Sequence, residues 1–192
     1  GAANTIAFNL VGVRVTIRGS TTTPTDVFNG TTTRNAILSN SIFSNTELGI
    51  ELDDDGLAPN DSGDGDVGPN NFQNSPLITK AEIEANGDLL VQYSVDSAIG
   101  NSTYPLRIEF FEGDSAASGE GKTFLASDDY PAGSAQNNKA VNLGNAAGSG
   151  ITAGDVVVST ATDADNNTSE FSTSSVVVAV VDLQLVKSDS PD

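Results

Sequence analysis

The sequence contains no cysteine, histidine, methionine or tryptophan, and only 8 of its 192 residues are basic. Without cysteine there is no thiol nucleophile, and without histidine the serines and threonines lack their usual activating base. A chain of this size without disulfides depends on packing, backbone hydrogen bonds or metal for its stability. No apolar run approaches the about 18 residues that cross a membrane, so we expect no membrane insertion.

The charge is strongly one-sided, with 26 acidic residues and a net charge of −18. Such a field repels nucleic acid and anionic membranes, because proteins bind both through Lys and Arg. It suits a salty exterior, where screening acts over about 8 Å, and divalent cations would reduce the repulsion further. The composition therefore favours an extracellular protein that binds no nucleic acid.

Helix signals are nearly absent, and the spacing of apolar residues predicts an all-β chain. No stretch places apolar residues at i, i+3, i+4 and i+7 for two turns. Short runs rich in Val, Ile and Phe alternate with Gly, Asn, Ser, Thr and Asp, which is typical of strands joined by turns.

The first 55 residues contain an internal repeat. The form Asn-x-Ile-x-x-Asn occurs at residues 4–9, 35–40 and 40–45, and Gly-led strands begin at Gly12 and Gly49. Short strands with one inward Ile, separated by turns in which Asn tolerates the left-handed conformation, are how a parallel β-helix is built. Residues 18–30, rich in Thr and Pro, are expected to form a projecting loop.

Residues 35–72 (NAILSNSIFSNTELGIELDDDGLAPNDSGDGDVGPNNF) resemble the last coils of right-handed parallel β-helix repeat proteins on bacterial surfaces. In that family the final coil runs into an Asp/Asn/Gly-rich segment and then a Gln-Asn-x-Pro turn, matched here by residues 73–76. The resemblance implies that residues 1–76 are the C-terminal coils and cap of such a β-helix. It also implies that the sequence is a piece of a longer protein, with an unpaired apolar end near Ile6 and Val13.

From residue 77 the pattern changes to plain alternation. We predict strands at 77–84, 89–95, 106–111, 123–127, 140–143, 155–162 and 170–181. Seven short strands over this length fit an immunoglobulin-like β-sandwich at residues 77–181, although the Cys and Trp of antibody domains are missing. Residues 161–172 resemble the closing hairpin of bacterial Ig-like surface domains.

Residues 182–192 resemble the opening strand of a further tandem β-sandwich repeat and are interpreted as a linker or the start of another β domain. Alternatively, this segment is a free strand that pairs with the sheet edge of a neighbouring molecule. The expected partners are therefore other domains of the same chain, or copies of the protein that associate through the open β-helix end or the C-terminal strand.

The segment that follows the last repeat is the strongest candidate for a binding site. It lies in a stretch without Lys or Arg between Arg34 and Lys80, so its carboxylates repel one another. Ca²⁺ suits such a loop because it takes six to eight oxygen ligands from carboxylates, amides and backbone. The spacing is not that of an EF-hand, and a solvated acidic loop remains the alternative. The candidate ligands are Asp53, Asp54, Asp55, Asp61, Asp64, Asp66 and Asn70.

A weaker second candidate site contains Asp163 and Asp165, where an Asp/Asn-rich turn explains the same residues without metal. Catalysis is not expected. Pectin-degrading β-helix hydrolases combine paired aspartates with Gly-His-Gly and Arg-x-Lys motifs, and this chain has neither. We therefore expect a non-catalytic structural or adhesive module of a large secreted bacterial surface protein, stabilised by calcium. The alternatives are a self-assembling subunit of an extracellular filament or sheath, and a carbohydrate-binding module using Tyr104 and Tyr130.

Overall fold

The computed structural model describes residues 3–16, 32–53, 55–115 and 119–180, and this part of the chain is all-β without an α-helix. None of its elements is a helix long and apolar enough to span a membrane. The predicted loop at 18–30, the candidate ligand Asp54 and the tail at 182–192 lie outside the described residues. The strands are β1 (Thr5–Ala7), β2 (Val13–Val15), β3 (Ser41–Phe43), β4 (Ile50–Leu52), β5 (Leu77–Ile83), β6 (Asp88–Ser94), β7 (Leu106–Gly113), β8 (Gly121–Tyr130), β9 (Lys139–Asn145), β10 (Val156–Thr162), β11 (Ser175–Val176) and β12 (Val178–Ala179).

The first four strands form two parallel pairs. Strand β1 pairs with β3, with Ile6 opposite Ile42, and β2 pairs with β4, with Val13 opposite Ile50. Residues 3–16 thus form a first layer and residues 35–53 a second layer beneath it. Gly12 allows the close approach of the layers, because a Cβ atom there would lie 2.3 Å from the carbonyl oxygen of Gly49.

The repeated asparagines stack between layers. Asn4 donates to Oδ1 of Asn40 from its backbone N–H at 3.2 Å and from its side-chain amide at 2.9 Å. The same two donors of Asn9 bond to Oδ1 of Asn45, at 3.0 and 3.2 Å. The backbone N–H and the side-chain amide of Asn35 both donate to Oδ1 of Asn70 at 3.1 Å. We call these three pairs the asparagine ladder.

The expectation that the repeat asparagines adopt the left-handed conformation is wrong at these turns. At Asn9, Asn35, Asn40 and Asn45 the preceding residue has the positive φ instead, whereas Asn70 of the ladder itself has φ 46°. These preceding residues are Phe8 (φ 61°), Arg34 (67°), Ser39 (55°) and Ser44 (53°).

Strands β5 to β12 form two four-stranded sheets around the larger core. One sheet has the order β11-β10-β7-β8 and the other β12-β5-β6-β9. The pairs are antiparallel except for β12 beside β5. The predicted faces are confirmed, because the following residues all lie buried in the core between the sheets: Leu89, Val91, Tyr93, Val95, Leu106, Ile108 and Phe110.

The predicted last strand, 170–181, is shorter and divided between the sheets as β11 and β12. Upstream of β11 the chain still follows β10, but serine hydroxyls replace backbone acceptors there. The N–H of Ala161 donates to Oγ of Ser169 at 2.9 Å, and the N–H of Ser159 to Oγ of Ser172 at 3.0 Å. Regular strand pairing therefore begins only at Ser175.

The layers pack on the outer face of the sheet that contains β7 and β10. A second buried cluster combines Ile37, Ile42, Ile50 and Leu52 of the second layer with Phe111, Val158 and Phe171 of the sandwich. The two parts of the molecule thus share a core. The predicted domain boundary at residue 76 falls immediately before β5 and stays a prediction.

Candidate metal centre

Three of the predicted ligands lie together. Ligand oxygens of Asp61, Asp64 and Asp66 are all within 4.8 Å of one another. Asp64 is buried, Asp61 is half-buried and Asp66 is exposed. An open hollow of about 310 Å³ lies beside Asp61 and Asp66 and gives access from solvent. The backbone supports this tight loop through left-handed residues at Gly63 (φ 79°) and Asp64 (φ 62°).

The Gln-Asn pair that follows the loop holds it closed. The N–H of Asn74 donates to Oδ1 of Asp64 at 2.8 Å, and Nε2 of Gln73 to Oδ2 at 2.5 Å. The Asn74 side chain accepts from the N–H of Asp61 at 3.1 Å and donates to its carbonyl at 2.9 Å. The sequence resemblance indicated only a turn at residues 73–76, so the positioning role of these two side chains was missed.

The same loop is attached to the connection between β6 and β7. The Ser102 hydroxyl donates to Oδ2 of Asp64, and the N–H of Gly63 donates to Oδ1 of Asp96 at 3.2 Å. The Gly63 carbonyl accepts from the N–H of Ala98 at 2.9 Å and from the amide of Asn101 at 2.8 Å. The acidic loop is therefore attached to the sandwich, and along the chain it lies between the second layer and β5.

The electrostatics of this triad favour a cation. Burial raises the pKa of Asp64 above its ordinary value, against the hydrogen bonds from Ser102 and Asn74 that lower it. Burial also raises the pKa of Asp66, and the charges of Asp61 and Asp64 raise it further. Within the described ranges, the ion pairs of Lys and Arg go to other carboxylates. A set of oxygen donors without a counter-charge fits a hard divalent ion such as Ca²⁺.

The other predicted ligands in this region are not brought to the triad. Asp53 accepts from the Thr16 hydroxyl at 3.2 Å. Asp55 is exposed and lines the same open hollow as Asp61 and Asp66, outside the triad. Asn70 is fully buried, and its amide donates to the carbonyls of Asn35 at 3.0 Å and Thr168 at 2.9 Å. With Oδ1 already in the asparagine ladder, Asn70 uses its side chain for structure.

The second predicted site has a structural explanation. Oδ1 of Asp163 accepts from the N–H groups of Asp165 at 3.0 Å and Asn167 at 2.9 Å, which closes a turn. Asp165 accepts from the Thr103 hydroxyl at 2.7 Å and lies 4.0 Å from Arg34. These two carboxylates are therefore occupied by protein donors.

The contact between the layers and the sandwich contains buried acids that sequence reasoning missed. Glu109 accepts from the N–H of Ser39 at 2.7 Å and from its hydroxyl at 3.0 Å. Glu120 accepts from the N–H of Asn45 at 3.0 Å. One carboxylate oxygen of Glu170 accepts from the N–H of Leu52 at 2.8 Å, and the other accepts from the N–H of Ala58 at 2.9 Å. These carboxylates bind backbone groups of residues distant in sequence, which no local pattern could reveal. Glu109 also accepts from Arg107, two residues before it, at 2.9 Å.

The tyrosines suggested for sugar binding offer little exposed ring surface. Tyr130 is fully buried beside Tyr93, with ring centroids 5.6 Å apart. Tyr104 is half-buried and donates its hydroxyl to the Ser97 carbonyl at 2.7 Å. Neither forms the exposed platform that the carbohydrate-binding alternative requires.

Comparison with known proteins identifies no family. No protein-family model matches the chain, and no curated protein matches it. Among solved structures, the chain is similar to the adhesin domain of Epf from Streptococcus pyogenes, at 14% sequence identity and a TM-score of 0.39. The match covers 59% of this chain and 35% of that one. This likeness is too slight to assign a function.

Proposed function

We propose that the protein is a non-catalytic structural and adhesive module of a large secreted bacterial surface protein. In this proposal, the terminal coils of a right-handed parallel β-helix end against an Ig-like sandwich, and Ca²⁺ bound by Asp61, Asp64 and Asp66 fixes their connection. The observation that carries it is the position of the acidic triad in the segment that joins the second layer to the sandwich, where it has no protein cation among its described neighbours.

The architecture of the proposal is supported by two features of the described fold. The parallel pairs β1–β3 and β2–β4, with the asparagine ladder at spacings of 35 and 36 residues, are typical of stacked coils. The sheet orders β5-β6-β9 and β10-β7-β8 match the A-B-E and F-C-C′ orders of Ig-like sandwiches.

Bound calcium would fix the orientation of the layers relative to the sandwich. An ion held by the triad would relieve the repulsion that raises the pKa of Asp66 and compensate the buried charge of Asp64. Since the loop is bonded both to Gln73–Asn74 and to the β6–β7 connection, ordering the loop orders the junction. A stiff junction is what a module that transmits force at a cell surface requires.

The test is thermal melting in excess chelator and in about 10 mM Ca²⁺. A site with a dissociation constant of about 0.1 mM, as in extracellular modules, adds about 2.7 kcal/mol at that concentration. For a chain of this length we expect Tm to rise by about 5–10 °C. The double variant Asp64→Asn/Asp66→Asn should lose this rise.

The control is Asp129→Asn, which removes an exposed carboxylate of β8, outside the acidic segment. It should keep the calcium-dependent rise. An unchanged Tm in the unsubstituted protein would overturn the calcium proposal. A rise that both variants keep would overturn it too, because calcium would then act on the net charge of the chain and not at the triad.

A further inference from the structure

The outer strand edge of the first layer has no described strand beside it. Within the described residues, β1 is hydrogen-bonded only to β3 and β2 only to β4. The opposite edges carry backbone N–H and C=O groups that no described strand uses. Such an edge is a template on which another strand can add.

The asparagine ladder ends at this same edge. Asn40, Asn45 and Asn70 each accept at Oδ1 from the backbone and side-chain amides of another asparagine. Asn4 and Asn9 donate in this way, but no described residue donates to their own Oδ1 atoms. The same geometry recurs at all three pairs. A partner that donates to Oδ1 of Asn4 and Asn9 in this geometry is therefore an asparagine in a segment that runs parallel to residues 4–9.

The edge is also apolar and has no acidic residue of its own, and the carboxylates of Glu47 and Glu51 in the second layer are paired with its Arg14. The side chains of Phe8 and Leu10 are 82% and 59% exposed. Residues 3–16 include Arg14 and no Asp or Glu, although the whole chain has a net charge of −18. A polypeptide can therefore approach this end without the repulsion that the rest of the acidic surface would impose.

We propose that this open face, formed by β1, β2, Phe8 and Leu10, binds a strand–turn–strand segment with the pattern Asn-x-Ile-x-x-Asn as a further parallel layer. The occupant is such a segment and not a second folded copy. In a folded copy the donors of this geometry, Asn4, Asn9 and Asn35, already bond within the molecule. The proposal does not depend on bound calcium.

The probe is a synthetic peptide with the sequence of residues 35–53, labelled with a fluorophore and titrated with the full chain. We expect saturable binding with one peptide per chain. The same peptide with its two ladder asparagines replaced (Asn40→Ala and Asn45→Ala) should bind at least about tenfold more weakly, because each loses a hydrogen-bonded pair. A scrambled peptide of the same composition should not bind.

Amide hydrogen exchange locates the site. Bound peptide should slow exchange in β1 and β2 and leave β9, an edge strand of the sandwich, unchanged. Replacing the exposed Phe8 and Leu10 (Phe8→Ser/Leu10→Ser) should weaken binding, whereas the control Ile99→Ser, at a 71% exposed residue of the sandwich, should not. Equal binding of the scrambled peptide, protection at β9, or a concentration-dependent dimer that takes up no peptide would each overturn the proposal.

Discussion

Asn70 accepts at Oδ1 two hydrogen bonds from Asn35, one from the backbone N–H and one from the side-chain amide, both at 3.1 Å. This is the geometry that joins Asn4 to Asn40 and Asn9 to Asn45. Asn70 therefore continues the layered repeat beyond the second layer. It belongs to the segment between the repeat and the sandwich, where its other amide bond, to the Thr168 carbonyl, reaches the sandwich.

Replacing Asn70 with Asp should strongly destabilise the protein. The side chain keeps its shape, but the new oxygen faces the carbonyls of Asn35 and Thr168, which are acceptors and cannot donate. Leaving these groups unpaired in a buried position costs about 1–3 kcal/mol each. The measurement is urea unfolding at pH 7. The control Asn138→Asp adds the same negative charge at an exposed residue and should leave the free energy of unfolding nearly unchanged.

Replacing Gly12 with Ala should separate the two layers locally. The added Cβ would lie 2.3 Å from the Gly49 carbonyl oxygen and 2.7 Å from the Ile42 side chain, so the backbone must move. We expect a loss of about 1–3 kcal/mol, with faster amide exchange in β2 and β4 but not in β6. The control is Gly133→Ala, where the added atom meets nothing within 4 Å. Unchanged exchange in β4 would contradict the close contact between the layers.

The strands were predictable because their signal is local. Alternation along 89–95 and 106–111 places apolar side chains on one face of each strand, and that face is the one buried. The buried acids between the layers and the sandwich were not predictable, because their partners are distant in sequence. Glu109 alternates with core residues and so resembles a solvent-facing position, but the second layer covers that face, and Ser39 and Arg107 supply its donors.

The candidate site could be predicted as a region but not residue by residue. Composition marks the whole acidic segment, since carboxylates without nearby Lys or Arg need an explanation wherever they occur. Which of them meet depends on how the loop closes, and Gln73 and Asn74 determine that closure through Asp64. Asp53 and Asp64 are equivalent in the sequence pattern, and only the second lies in the triad.

The interface should also make stability depend on pH through Glu170. Burial, with smaller effects from the charges of Glu51 and Asp55, raises the pKa of Glu170 from 4.5 to about 7. Between these values the folded chain binds more protons than the unfolded chain, so this contribution to stability is present at low pH and is lost as the pH rises through about 7. The loss between pH 5 and pH 8 should be about 2–3 kcal/mol.

The measurement is urea unfolding at pH 5, 6, 7 and 8 in chelator, which removes any effect of calcium on the acidic loop. The variant Glu170→Gln should be less stable than the unsubstituted protein at pH 5, because its amide can accept from only one of the N–H groups of Leu52 and Ala58. Its free energy of unfolding should nevertheless fall less between pH 5 and pH 8 than that of the unsubstituted protein. The control Glu47→Gln, at a side chain that is 51% exposed, should keep the full pH dependence. If Glu170→Gln kept it too, the pH dependence would come from other carboxylates, with Asp64 and Asp66 next to be tested because burial raises their pKa values in the same direction.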